Sequence, residues 1–187
     1  VTDPAASRPR LADRNDDLER IRVALRAAAE ALRPFTAGAV SWERKSERGD
    51  PVTAADRAVD EVLRRILPRP GEGWLSEETR DGPSRLSLHR VWVVDPLDGT
   101  REFVQGIPEW CVSVGLVEGG EAVAGGILNP ATGERILGSV ETGVTLDGRP
   151  AGVVRRPDLV GATVLASRSE VGRGEWDRFG EAPFRVV

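Results

Sequence analysis

Val93-Val94-Asp95-Pro96-Leu97-Asp98-Gly99-Thr100 is the stretch on which the reading of this chain turns. The apolar run from Val91 to Val94 reads as a short strand, and Pro96, with its fixed φ, holds Asp95 extended at the strand end. The chain then turns, so that Asp98 can face the same space as Asp95. Hard cations such as Mg²⁺ take oxygen ligands in near-octahedral array, commonly a few carboxylates with waters and phosphate oxygens. Two carboxylates in one turn meet that need, and the Leu97 carbonyl between them can add a third oxygen. Gly99 has no side chain to block an approaching group, and a helix beginning there would aim the amides of Gly99 and Thr100 at a bound anion. The plain alternative is an acidic turn in which Asp98 caps a helix. A cap needs one acid, however, and leaves Asp95 at the strand end without a role. A covalent aspartyl-phosphate design would use Asp-x-Asp-Gly-Thr; the two acids here stand three positions apart, which disfavours it.

Outward from this stretch the periodicity is of two kinds. Leu18, Ile21, Leu25, Ala28, Ala29 and Leu32 recur at helical spacing until Pro34. A second helix follows Thr53, with Val59, Val62, Leu63, Ile66 and Leu67 as its apolar stripe, and Pro68 closes it. From residue 91 onward the pattern is that of strands: Trp110 to Val117, Glu121 to Leu128 after Gly119-Gly120, and Glu134 to Val140 after the Asn129–Gly133 loop. Asp147-Gly148 signals another turn. The expected fold class is α+β, a mostly antiparallel sheet packed against N-terminal helices, plus the start of a second α/β domain. Residues 1–17 are expected to be a disordered leader, 18–154 the metal- and phosphate-binding domain, and 155–187 the opening of a second domain. That second part, a strand from Val160 to Ala166 and a short helix, is too brief to enclose much core, so the chain is expected to stop early.

Composition narrows the class. The chain has 187 residues, 40% hydrophobic and 30% charged, with a net charge of -4, which is the profile of a globular domain and not of a nucleic-acid-binding surface. No apolar run approaches the roughly 18 residues of a spanning helix, and neither nucleic acid nor membrane is expected as a partner. Cys111, the single cysteine, has no internal disulfide partner and fits a reducing cytoplasm. Within an apolar strand it reads as packing, and His89, beside Arg90 at a strand start, as a surface residue. Glu43, Glu47 and Asp60 read as solvated faces.

Three separated segments now resemble the inositol monophosphatase family, which includes bisphosphate nucleotidases and fructose bisphosphatase relatives. Asp50-Pro51-Val52-Thr53-Ala54-Ala55-Asp56 is similar to the family's first motif, Ser76-Glu77-Glu78 to its acidic loop, and Val93 to Thr100 to its central signature. Gly106-Ile107-Pro108 and Val112 to Leu116 add to the likeness, which runs from about Leu18 to Arg168. The resemblance implies the layered α/β sugar-phosphatase fold and hydrolysis of a small phosphate monoester by metal-activated water, without covalent intermediate. It implies two or three Mg²⁺ ions, lithium sensitivity, and a homodimer among the expected assemblies. Glu77 and Asp95, with the Leu97 carbonyl, would hold one ion, and Asp95 and Asp98 a second. Glu78 could replace Glu77, although the family pattern uses the first of the pair. Gly99 and Thr100 would bind phosphate, Thr100 and Asp56 would orient the attacking water, and Lys45, the only lysine, matches a family lysine near the metals.

The pattern departs from the family in one place. A further metal Asp, in a Trp-Asp pair beyond a Gly-Ser segment, has no counterpart; Trp176-Asp177 comes too early, and Asp177 reads as an exposed acid on a short helix. A non-catalytic phosphate-ester-binding protein is therefore the alternative of another class. Within the phosphatases, Arg101-Glu102-Phe103 resembles the branch acting on 3'-phosphoadenosine 5'-phosphate. Gly106 through Leu116 resembles the inositol branch, which is preferred.

Overall fold

The structure, a computed structural model, describes residues 11–44, 51–153 and 157–187. The chain divides into two units, Val1–Ala151 and Gly152–Val187. The first unit opens with helix α1, Leu11–Leu32, and continues through a small antiparallel pair, β1 (Trp42–Arg44) and β2 (Pro51–Thr53), into helix α2, Ala54–Ile66. Then follow β3 (Glu72–Ser76), β4 (Arg90–Asp98), the short helix α3 (Thr100–Gln105), β5 (Cys111–Glu118), β6 (Glu121–Leu128), β7 (Arg135–Ser139), β8 (Gly143–Leu146) and β9 (Arg149–Pro150).

Strands β3 to β9 form one seven-stranded sheet in sequence order. Only β3 and β4 run parallel; each of the other pairs is antiparallel. The hairpins follow from their turns: Asp147 and Gly148 both take positive φ, 49° and 79°, as the tight turn between β8 and β9 requires. The sheet was expected, but its first strand was not. Strand β3 spans Glu72–Ser76, and a five-residue strand containing a glycine carries little periodic signal.

One sheet face is covered by the two helices. Trp92 and Val94 of β4, Val112, Val114 and Leu116 of β5, and Ala124 of β6 alternate inward. Against them pack Ile21, Ala24, Leu25, Ala28 and Leu32 of α1, and Ala55, Val59 and Leu63 of α2. Each large aliphatic side chain buried here contributes about 1.5–3 kcal/mol of transfer free energy. Close helix approach is permitted by Gly126, where a Cβ would stand 2.7 Å from Ile21 Cγ2.

Helix α1 begins seven residues before the expected domain start, which corrects the leader boundary at residue 17: residues 11–17 are helical, and Val1 to Arg10 lie outside the described residues. The physical reason is an ion network that apolar periodicity cannot reveal. Arg14, fully buried, pairs with Asp17 at 3.0 Å and with Glu141 at 2.9 Å. Asp17 also meets Arg90, while Arg90 binds Glu72 at 3.0 Å and Glu118 at 2.6 Å. Glu72 is held further by Arg20 at 2.5 Å and by Trp92 Nε1 at 2.9 Å. The network ties α1, β3, β4 and β5 together at the start of β4, leaving the other end of that strand for the site.

In the second unit, the two-residue strands β10 (Thr163–Val164) and β11 (Arg185–Val186) pair in parallel, with helix α4 (Arg168–Gly172) between them in sequence. Trp176, Phe179 and Phe184 make tilted ring contacts at centroid distances of 5.5 and 6.0 Å. Asp177 is exposed on a 3₁₀ turn, Asp177–Phe179.

Candidate active site

Two acids eighteen positions apart in sequence become neighbours because β3 and β4 are parallel. The last registered pair is Ser76 opposite Val94, so the next residues along the two strands are Glu77 and Asp95. The Glu77 amide continues the ladder, donating to the Val94 carbonyl at 3.4 Å.

Asp98 joins them through a β-bulge. Asp95 lies opposite Ser113 and Asp98 opposite Cys111, so three steps on β4 match two on β5. In a regular strand, residues three apart point to opposite faces; the extra residue brings Asp98 back to the side of Asp95. Pro96, which has no amide to give a ladder, occupies the bulge. The sequence reading ended the strand at Pro96 and turned the chain there; instead β4 continues to Asp98.

Gly99, at φ 88° and ψ 34°, then starts α3 as its N-cap, and the Gly99 carbonyl accepts the Phe103 amide at 2.9 Å. Glu77, Asp95, Leu97, Asp98, Gly99 and Thr100 line one hollow of about 280 Å³, with Arg101 and Glu102 beside them. Thr100 Oγ1 lies 2.8 Å from the Leu97 carbonyl oxygen and 3.0 Å from Asp56 Oδ1, and its single hydrogen can serve one of these at a time.

Asp56 is buried at the first turn of α2, where Thr53 caps the helix. Its Oδ2 accepts from the Thr53 amide at 2.7 Å and from Thr53 Oγ1 at 2.6 Å, and the Thr53 side chain in turn accepts from the Asp56 amide, which completes a capping box. Lys45 lies outside the described residues. The other readings are placed as follows. Glu43 makes an exposed pair with Arg57 at 2.7 Å, and His89 is exposed. Asp60 is not a solvated acid: it accepts hydrogen bonds from Ser76 Oγ and, at 2.7 Å, from Thr79 Oγ1. Its position four residues after Asp56 places it on the same helix face, but spacing alone does not tell these two hydroxyl partners from solvent.

The electrostatics are those of crowded negative charge. Burial, the charge and hydrogen bond of Glu77, and the charge of Asp98 push Asp95 up to about 7, with only the Leu97 amide acting the other way. Burial, with Asp98 and Asp95 nearby, raises the Cys111 thiol to about 12, so it stays protonated and is no nucleophile at neutral pH. The donor set of carboxylates and one carbonyl contains only oxygen, which is what Mg²⁺ accepts. With Asp95 and Glu77 sharing a hydrogen bond, no three Asp, Glu, His or Cys side chains among the described residues already stand in a metal-holding arrangement. The donors fit the ion in kind and share the hollow without closing on one point.

Fold and hollow together define a class: an α+β protein gathering hard oxygen donors beside a helix start, at the ends of two parallel strands. The family model described as "Inositol monophosphatase family" matches residues 15–179, and the chain belongs to that family. It is 38% identical over 133 residues to an inositol-1-monophosphatase of Mesorhizobium japonicum, covering 70% of this chain and 50% of that protein. It is 40% identical over 127 residues to a histidinol-phosphatase of Mycobacterium tuberculosis, covering 67% of this chain and 43% of the relative. The structure of an IMPase from Thermotoga maritima superposes with a TM-score of 0.75 at 26% identity, covering 94% of this chain and 68% of the other. The chain spans about half the length of the curated relatives it matches.

Proposed function

We propose that this site hydrolyses a small phosphate monoester with the help of Mg²⁺. The observation that carries the reading is the single hollow shared by Glu77, Asp95, Asp98 and the Leu97 carbonyl, with the Thr100–Asp56 pair alongside. Glu77, Asp95 and the Leu97 oxygen would hold one ion, and Asp95 with Asp98 a second. When bound, such ions lower the pKa of water and steady the attacking and leaving oxygens. Gly99 and Thr100 offer first-turn amides to the phosphate. When the Thr100 hydroxyl donates to Asp56, its oxygen would be left to accept from and orient an attacking water. The reading invokes no covalent intermediate, and the protein's contribution would be position and charge.

The leaving group would occupy an adjoining cleft of about 430 Å³, reached past Asp98 and Gly99. Glu102, Glu109 and Glu134 line it with Asn129, Trp110 and Ile127, and no Arg or Lys lines it among the described residues. That sign favours an alcohol without a second phosphate, and so an inositol phosphate over 3'-phosphoadenosine 5'-phosphate. The same acidic lining favours a second reading, an amine-bearing alcohol phosphate such as histidinol phosphate, in keeping with the likeness to the histidinol-phosphatase.

Phosphate release from inositol 1-phosphate, histidinol phosphate and 3'-phosphoadenosine 5'-phosphate tests the reading. Turnover is expected to need Mg²⁺ and to fall on the order of a hundredfold or more in Asp95→Asn. Turnover by that variant in the presence of chelator would overturn it. Binding of the esters without turnover would instead establish a non-catalytic binder.

A further inference from the structure

Glu77 sits just past the end of β3, in a bent, irregular segment running from residue 77 to 82, and it is exposed. A metal ligand on such a segment needs its backbone fixed, because a long carboxylate side chain on a moving loop spends binding free energy on ordering itself. The structure supplies that fixing from one residue. Asp60 Oδ1 accepts from Ser76 Oγ, and Asp60 Oδ2 accepts from Thr79 Oγ1 at 2.7 Å. Ser76, buried, precedes Glu77, and Thr79 follows it by two positions. Ser76 Oγ in turn accepts the Glu78 amide at 3.2 Å, closing the backbone around Glu77. A single carboxylate thus holds both sides of the acidic loop, and hydrogen bonds to an ionised acceptor are the stronger kind.

Asp60 lies one turn beyond Asp56 on α2. One face of that helix therefore reaches both halves of the site: Asp56 engages Thr100, after the bulge of β4, and Asp60 engages the loop after β3. We infer that Asp60 is a positioning residue that holds Glu77 for divalent-cation binding, with Ser76 and Thr79 as its two handles. The inference rests on the reading of Glu77 as a metal ligand.

The test is Mn²⁺ binding by the full chain, followed by electron paramagnetic resonance, in wild type, Asp60→Ala, Asp60→Glu and Thr79→Val. Removing a group that orients a metal ligand is expected to weaken cation affinity about 10- to 100-fold. Asp60→Ala should show that loss, Thr79→Val a smaller one, and Asp60→Glu a partial recovery. In phosphate-release assays, the Mg²⁺ concentration for half-maximal rate should rise while kcat at saturating Mg²⁺ recovers. A merely structural role would lower the thermal midpoint and leave the affinity of the folded protein untouched. Should Asp60→Ala fail to fold, Thr79→Val, which deletes one bond, carries the test. Wild-type affinity in a folded Asp60→Ala or Thr79→Val overturns the inference alone. Absence of Mn²⁺ binding by wild type overturns the metal reading itself, and this inference with it.

Discussion

At Gly99 the backbone runs at φ 88°, and a Cβ there would lie 2.8 Å from the Glu109 carbonyl oxygen and 3.1 Å from Trp110 Cα. Both contacts are with backbone of the strand approach facing it, which cannot rotate away as a side chain tip would. Gly99→Ala is expected to cost about 1–3 kcal/mol, the range for a residue held in a region its side chain disfavours. Urea unfolding at constant m-value measures this. Asp95, Asp98, Gly99 and Thr100 stand out in the sequence because they lie in one short run of oxygen donors ahead of a helix start, whereas Glu77, which lines the same hollow, is marked only by the family resemblance. Asp60 does not stand out, because an acid on a helix face reads the same whether it meets water or two hydroxyls.

Among the elements, α2 begins at a cap that also belongs to the site. Thr53 is buried; its Oγ1 accepts the Ala55 amide at 3.1 Å and donates to Asp56 at 2.6 Å. Thr53→Ala is therefore expected to destabilise the protein by about 1–2 kcal/mol, the upper range for losing an N-cap. Thermal unfolding with and without Mg²⁺ checks it. Helix α2 and the hairpins of β5 to β7 were legible because apolar spacing and glycine turns mark them. Strand β3 and the bulge in β4 were not. A bulge leaves no compositional mark beyond a proline, and the sequence offers a chain turn as an equal explanation of Pro96. Parallel pairing of β3 with β4, which places Glu77 beside Asp95, is a tertiary fact that neither strand declares locally.

At the scale of the whole molecule, the ion network at the start of β4 contributes to the response to acid. Burial raises Glu72, but hydrogen bonds from Arg20, Trp92 and the Arg69 amide, with the charge of Arg20, outweigh it and bring the carboxyl to about 2. The folded value lies below the ordinary 4.5. Its stabilisation is thus complete above about 4.5 and is lost as pH falls through about 2. This amounts to on the order of 2 kcal/mol once solvent screening is allowed for. Asp17, which burial raises despite Arg90, Arg14 and Arg20, acts in the opposite sense. Urea unfolding across pH 5 to 2 should show a shallower acid loss in Glu72→Gln than in wild type. The network also explains why the start of α1 carries no apolar signal: its anchors are arginines and acids, which hydrophobic periodicity passes over.

Asp56 gives one oxygen to the start of α2 and the other to Thr100. On the proposed mechanism, whatever alters this side chain therefore strikes protein abundance and turnover together. Inactivity of an alanine variant at this position would by itself report nothing about chemistry, since a poorly folded sample gives the same silence. The position is closed to gradual tuning: a change that suits the reaction better must also suit the helix, and few side chains other than aspartate can do both.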